Sequence, residues 1–245
     1  MKISKLIVTS AVAAAASLAS LQAGVAPAPA PAPVAAAPSG ILGDITGELS
    51  AGYDTHYIFR GVNLGEDAVW TGLDLSVPIA DGIGLGLGAW YINPTSGGAS
   101  DDELDLYASL GTTVGAFDVS VGYTAYLYPE VGNGDTHEAN IALGTEIAGI
   151  AVGGLYAYDF ELETHYFEAS FGYGVTITDV ISADAALSIG FNEDEYTHTT
   201  VSLGFPIALS GNATLTPYVA GVFSDEETSD TDDEIFGGAS LSVSF

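Results

Sequence analysis

Apolar residues alternate with Gly, Ser, Thr or carboxylate residues along the chain from Ile45 to Phe245. A period of two over stretches of about ten residues is typical of membrane-spanning strands with one apolar face. The alternation recurs twelve times and predicts strands at approximately 45–60, 68–79, 83–93, 104–114, 117–128, 137–147, 150–160, 164–177, 181–191, 196–207, 213–223 and 234–245. An even number of strands predicts an all-β fold, a single closed antiparallel transmembrane β-barrel with both chain ends at one rim.

The predicted connections alternate between short turns and longer acidic segments. The longer ones read "GVNLGED" (61–67), "PTSGGASDDE", "PEVGNGD", "ELE", "NEDE" and "SDEETSDTDD". Outer-membrane barrels have short periplasmic turns and longer extracellular loops. The pattern therefore predicts localisation in the bacterial outer membrane, in contact with its lipid. A soluble β-sandwich or a lipocalin-like barrel is the alternative, although it would need fewer and more varied strands.

The last predicted strand, "IFGGASLSVSF", ends in an aromatic residue. Ile235, Leu241, Val243 and Phe245 share one parity of this strand, and serines occupy much of the other. A C-terminal aromatic on such a strand resembles the sorting signature of bacterial outer-membrane barrels. Phe245 is therefore predicted to be a signal for the barrel-assembly machinery.

Two segments before the barrel have other roles. Residues 1–23 begin with Lys2 and Lys5, continue with an apolar run and end in small residues, which predicts a secretory signal peptide. A membrane-anchoring helix is the alternative, but Ala and Ser make the run only mildly apolar. Residues 24–40 contain "APAPAPAPVAAAP" and predict an extended periplasmic linker, with peptidoglycan binding as the other interpretation. The barrel domain then covers residues 41–245.

Charge narrows the possible partners. The chain has 32 acidic and 3 basic residues, a formal net charge of −29 and no cysteine. Without the signal peptide, Arg60 is the only basic residue. No cationic patch is available for phosphates, so nucleic acid is excluded as a partner. Strong acidity also fits a saline habitat, where carboxylates are well screened.

Strand parity assigns charged side chains to the barrel interior, because a carboxylate facing lipid is costly. In the first strand this rule turns Tyr57 and Phe59 towards lipid and Arg60 towards the lumen near the outer rim. The predicted lumen and selectivity residues are Glu48, Asp54, His56, Arg60, Asp74, Asp105, Asp118, Glu138, Glu146, Asp159, Glu168 and Asp184. Acidic side chains in a confined passage attract cations.

Two functions fit these predictions. The first is a porin-like channel for passive diffusion of small solutes, with a preference for cations. The second is a non-conducting barrel with a packed lumen and a structural or surface-interaction role. Twelve strands enclose more space than eight, and inward glycines such as Gly88, Gly122, Gly144 and Gly190 would leave room. Arg60 would either fix the first loop through Asp54, Asp74 or loop carboxylates, or form a constriction.

The chain has no recognisable hydrolase motif. His56, His137, His165 and His198 lie at the same ends of their predicted strands but on different faces, and no nucleophile elbow or His-Glu-x-x-His motif occurs. We therefore expect no enzymatic activity, no cofactor and no metal centre. The acidic segment 224–234 could bind Ca²⁺ or Mg²⁺ weakly, but solvated charge is the simpler interpretation.

The stretch around Arg60 resembles the TorF-like family of porins. The matching residues are Tyr57, Phe59, Arg60 and Gly61, followed by "VWTGLDLS" (69–76) and "GLGLGAWY" (84–91). The likeness covers about the first fifty barrel residues, and the remainder resembles a generic outer-membrane barrel. The family often has Ser-Gln after the Arg-Gly pair, where this chain has "VNLG". The resemblance implies a porin-like membrane protein without naming a solute.

Overall fold

A computed structural model describes residues 45–97, 102–129, 134–224 and 232–245. The predicted signal peptide and the whole of the predicted linker therefore lie outside the described residues. The regular elements are β1 (Thr46–Phe59), β2 (Val62–Ala80), β3 (Ile83–Asn93), β4 (Glu103–Val114), β5 (Phe117–Leu127), β6 (Thr136–Ile147), β7 (Ile150–Asp159), β8 (Thr164–Thr176), β9 (Ser182–Asn192), β10 (Glu195–Gly204), β11 (Ile207–Ala208), β12 (Ala213–Ser224) and β13 (Glu234–Ser244). Within the described ranges, no helix has the length and apolar character needed to cross a membrane.

Twelve long strands close into one antiparallel barrel. Neighbours in sequence pair with each other, β1 pairs with β13, and β10 pairs with β12 around the two-residue strand β11. The predicted fold class is confirmed. In this ring β7 lies opposite β1, and β6 and β8 flank it.

Both ends of the barrel chain meet at one rim. The N–H of Gly47 donates to the carbonyl of Phe245 at 2.9 Å, and the N–H of Phe245 donates back to Gly47 at 2.9 Å. This rim also carries the two-residue turns 81–82, 115–116 and 148–149, and we call it the short-turn rim. Phe245 therefore completes the backbone ladder, and its role as an assembly signal stays a prediction.

The first connection at the opposite rim is a tight turn. The prediction of a long acidic loop at 61–67 was wrong, because residues from Val62 onwards extend strand β2. Arg60 and Gly61 form the turn with φ values of 51° and 87°. Two successive positive φ values are characteristic of a type I′ hairpin, whose twist matches that of its strands. Strands β1 and β2 therefore continue as a hairpin.

The outer face of the barrel is apolar. Residues of one parity along each strand expose large hydrophobic side chains, among them Leu49, Val69, Leu73, Leu87, Leu106, Leu110, Val121, Ile141, Leu143, Phe167, Phe171, Val201, Val219, Ile235 and Leu241. Soluble monomers rarely expose continuous apolar surface of this extent. An apolar outer band is the property expected of a barrel that contacts lipid.

Several inward glycines are covered by neighbouring side chains. The ring of Tyr107 lies across Gly88, so that its hydroxyl reaches Asp74 and donates a 2.6 Å hydrogen bond. Asn140 covers Gly122 in the same way, whereas a Cβ at Gly144 would meet only the Cβ of Asp118, at 4.0 Å. The prediction that these glycines leave room is therefore wrong for Gly88, Gly122 and Gly190, because larger side chains use the space above them; at Gly190 these are His198 and Tyr166.

Replacing Gly88 tests this packing. In Gly88→Ala the new methyl group would overlap the ring of Tyr107 and push its hydroxyl away from Asp74. We expect a loss of about 1–3 kcal/mol in the free energy of unfolding, as is usual for overpacking. Urea unfolding of the lipid-reconstituted protein measures it. Gly111→Ala is the matched control, because its Cβ would meet nothing closer than 3.9 Å. Equal stability of the two variants would contradict the packing described here.

Candidate functional site

The β1–β2 hairpin bends into the barrel at its outer end. Strand pairing is irregular between Tyr57 and Ile58, because Tyr57 faces Gly65 whereas Ile58 faces Asn63. Strand β2 therefore carries one more residue than β1 at this point, which is a β-bulge that increases local twist and bends the strand pair. A positive φ of 52° at Asp67 adds to the distortion. We call residues 57–61 beyond this bend the hairpin tip.

The two aromatic residues of the hairpin tip point into the barrel. Tyr57 is 0% exposed, and its hydroxyl donates a 2.9 Å hydrogen bond to Oε2 of Glu103 on β4. The Phe59 ring meets Tyr126 of β5 edge-on, with centroids 5.8 Å apart. The prediction that Tyr57 and Phe59 face lipid was therefore wrong, because the bend at the bulge interrupts the strict alternation on which it depended.

Arg60 reaches across the lumen to the opposite wall. Its Nη2 lies 2.7 Å from Oε2 of Glu138 on β6, and its Cζ lies 4.1 Å from the ring centroid of Tyr166 on β8. The Arg60 side chain is 17% exposed and that of Glu138 is 2% exposed. Because the ion pair is buried, removal of either partner would leave an unpaired charge in the interior. The pair therefore strongly favours the conformation in which the hairpin tip contacts β6.

The partners predicted for Arg60 were wrong. Asp54 accepts a 2.7 Å hydrogen bond from Tyr218, and Asp74 accepts one from Tyr107. Both acids lie on β1 or β2, so they belong to the wall from which the hairpin tip bends away. The guanidinium therefore contacts an acid on the opposite side of the barrel. Strand parity shows that this acid faces inward, but it does not show that it is the partner of Arg60.

The hairpin tip also contacts strands β10, β12 and β13. Ile58 belongs to a buried cluster with Tyr218, Ala220, Val222 and Phe236 of β12 and β13. The hydroxyl of Ser224 donates a 2.8 Å hydrogen bond to the carbonyl of Gly61. A Cβ at Gly61 would meet the side chain of His198 at 2.6 Å, so only glycine allows this approach. The tip thus contacts strands all around the ring and fills the outer half of the interior.

Tyrosines donate hydrogen bonds to four of the inward carboxylates. Tyr218 donates to Asp54, Tyr57 to Glu103, Tyr107 to Asp74, and Tyr166 to Glu168 at 2.8 Å. A phenol donates a hydrogen bond without adding positive charge. The interior therefore keeps its acidic character although most of its carboxylates are hydrogen bonded.

Glu103 was missed by the sequence analysis. Its side chain is 2% exposed and faces the interior, but the sequence reading placed it in the loop before β4. Glu103 precedes the inward Asp105 by two residues. The period of two was therefore a signal that would have identified it, had the strand been started one residue earlier.

The remaining predicted site residues do not form one ring. Asp159 accepts hydrogen bonds from the N–H groups of Glu161 and Leu162, and so closes the β7–β8 turn. His56 lies 3.6 Å from Glu234 near the outer rim. Asp118 lies closer to the short-turn rim and accepts a 2.7 Å hydrogen bond from Thr113. The other predicted site residues near that rim are Glu48, Glu146 and Asp184. The structure thus brings together Arg60 and Glu138, with Glu168 nearby through its shared contact with Tyr166, and separates most of the others.

The four histidines do not converge either. His137 lies 3.1 Å from Glu161 and His165 lies 2.9 Å from the Tyr156 hydroxyl, both towards the outer face. His198 is buried and lies 3.0 Å from the Tyr166 hydroxyl. Among the described residues, no group of three or more His, Asp or Glu side chains is arranged to hold a metal ion. Most of the acidic segment 224–234 lies outside the described residues.

Known structures share the barrel fold at low sequence identity. The COG4313 outer membrane channel from Pseudomonas putida F1 has a TM-score of 0.54 at 10% identity, over 82% of this chain and 95% of that one. A structure described as KdgM porin has a TM-score of 0.52 at 12% identity, over 81% of this chain and 99% of that one. No curated protein matches the chain by sequence. These likenesses establish the fold.

Sequence comparison also identifies a family. A family model described as "Bacterial protein of unknown function (Gcw_chp)" matches residues 43–232, which is most of the chain and nearly all of the barrel. The chain therefore belongs to the Gcw_chp family.

Proposed function

We propose that this protein is a porin-like channel of the bacterial outer membrane that passes small solutes by diffusion and prefers cations. A closed twelve-stranded barrel with an apolar outer face supports the location. The fold shared with an outer membrane channel and a porin supports the transport role. The likeness of residues 57–61 to the TorF-like porins points in the same direction.

The observation that carries the cation preference is the charge inside the barrel. Arg60 is the only Lys or Arg among the described residues, and it is paired with Glu138. Asp54, Asp74, Glu103, Asp105 and Glu168 are left without a basic partner within the described residues, and receive hydrogen bonds mainly from neutral phenols. Carboxylates that line a confined passage attract cations and repel anions.

In this conformation the hairpin tip closes the outer half of the interior. Towards the short-turn rim, Ser50, Ser109, Asn140 and Ser170 retain partial exposure, whereas Ser120, Ser188 and Ser202 are buried. We infer that the half next to the short-turn rim is an entry chamber on the periplasmic side. Conduction then requires the hairpin tip to move away from Glu138 and Tyr166.

In the membrane the outer face contacts lipid, and the short-turn rim faces the periplasm, as in other outer-membrane barrels. We propose that Phe245 is read by the barrel-assembly machinery, which fits its place in the final strand pairing. The proposal contains no catalytic step and no cofactor.

A non-conducting barrel is the second candidate. It is favoured by one observation, that side chains of the hairpin tip fill the outer half of the interior, with Tyr57 fully buried. Such a barrel would have a structural or surface-interaction role, presented through its outer loops.

Electrical recording separates the two candidates. The full-length protein, purified and inserted into planar bilayers, is expected to produce discrete current steps. Under a KCl gradient the reversal potential should lie on the side of the K⁺ equilibrium potential, because acidic interiors favour cations. Absence of steps at every protein concentration would support the non-conducting barrel, and a reversal potential on the Cl⁻ side would contradict the charge argument.

Releasing Arg60 tests whether the hairpin tip limits conduction. Arg60→Ala alone would leave Glu138 buried without its cation, at a cost of about 3–5 kcal/mol. The double variant Arg60→Met, Glu138→Gln removes the ion pair without leaving that charge, so the barrel should still fold. We expect it to conduct more, with larger or more frequent steps than the parent, in the same bilayer recordings.

Asp81→Asn, in the exposed β2–β3 turn, removes a carboxylate outside the lumen and is the control for loss of the Glu138 carboxylate. Heat-dependent mobility in detergent gels reports whether each variant has a folded barrel. Unchanged currents in a folded double variant would leave Arg60 with a structural role alone.

A further inference from the structure

Two acidic side chains lie together on the inner wall below the hairpin tip. Glu103 and Asp105 occupy the same face of β4, are 2% and 3% exposed, and are within hydrogen-bonding reach of each other. Two carboxyl groups at such close range do not both carry a free negative charge. They hold either a shared proton or a cation between them.

A third oxygen group faces this pair. Tyr126 on β5 pairs directly with Asp105 across the two strands, and it is 3% exposed. Within the described residues, the Tyr126 hydroxyl and Oδ1 of Asp105 have no hydrogen-bond partner. Leaving a buried polar atom without a partner is unfavourable, so two such atoms on directly paired residues indicate a ligand.

Two of the nearby donors are already engaged, and the third, the Tyr126 hydroxyl, donates to neither acid. The Tyr57 hydroxyl donates to Oε2 of Glu103, and the guanidinium of Arg60 binds Glu138. A proton shared by the two acids would join one oxygen of each and leave Oδ1 of Asp105 and the Tyr126 hydroxyl unsatisfied. A cation would contact all of these oxygens, because its ligands are arranged around one centre.

We propose that Glu103, Asp105 and Tyr126 form a binding site for a small monovalent cation, such as Na⁺, inside the barrel. The inference rests on the proposed channel function, since it names where a permeating cation is held. Oxygen ligands suit hard cations. Among the described residues, no third acid or histidine joins these ligands in a metal-binding arrangement.

The site is also connected to the hairpin tip. Tyr57 of the tip bonds Glu103, and Phe59 of the tip packs on the ring of Tyr126. Movement of the tip would therefore change the surroundings of the cation, so occupancy and opening are expected to be coupled.

Direct binding of radioactive sodium to the purified full-length protein in detergent tests the site without requiring conduction. A scintillation proximity assay, with choline chloride to hold ionic strength constant, should show a saturable component of about one ion per barrel, because the proposal places a single cation between the two acids. Asp105→Asn and Glu103→Gln keep the shape of the side chains and should weaken binding at least about tenfold, since each removes a charged ligand. Tyr126→Phe should weaken it less.

Asp81→Asn should bind sodium as the parent does, because Asp81 is exposed in a turn at the short-turn rim. A saturable component that survives in both acid variants, or no saturable component in the folded parent, would overturn the site; in the latter case the acids share a proton. Sodium binding without conductance would instead reject the channel and keep the site. Cation-selective conductance without sodium binding would keep the channel and reject the site.

Discussion

Closure of the backbone ladder is the constraint on which this protein depends. In a bilayer every unpaired N–H or C=O group costs several kcal/mol, so a sheet can span it only when its two edges pair. Here β1 pairs with β13, and β10 pairs with β12 across the short strand β11. The Gly47 and Phe245 backbones pair at the same rim. Once the ring is closed, a period of two sorts side chains into an apolar outer face and a polar interior.

The outer half of the interior is filled because the period of two is interrupted in the β1–β2 hairpin. At the bulge beyond Tyr57 the β1–β2 hairpin bends inward, and the Arg60–Gly61 turn reaches β6, β8, β10 and β12. A hairpin that continued straight would have left the interior open at the outer rim. The bent hairpin converts a wide ring into one whose outer half is filled and whose other half stays lined by small residues.

Inside the barrel, the same tyrosine side chains fill space and donate hydrogen bonds to carboxylates. A tyrosine can cross an inward glycine and donate a hydrogen bond to an acid two strands away, as Tyr107 of β4 does to Asp74 of β2 above Gly88 of β3. This arrangement satisfies buried carboxylates while adding no positive charge. Arg60 is the exception, since it brings a cation to Glu138 and stacks on Tyr166. The pair Glu103 and Asp105 remains without such a cation, and this difference motivates the proposed ion site.

The sequence by itself determined the fold class, the twelve long strands and their approximate bounds, because parity is a local property that burial on one face enforces. It also identified most inward carboxylates, including Asp54, Asp105 and Glu138, since each sits in a regular stretch of alternation. Only the tertiary structure decided the burial of Tyr57, the pairing of Arg60 with Glu138 and the covering of Gly88. Each of these depends on a bend or on a contact between strands that are distant in sequence. The alternation along one strand shows which face a side chain lies on, but it does not identify the strand on the other side of the barrel that the side chain contacts.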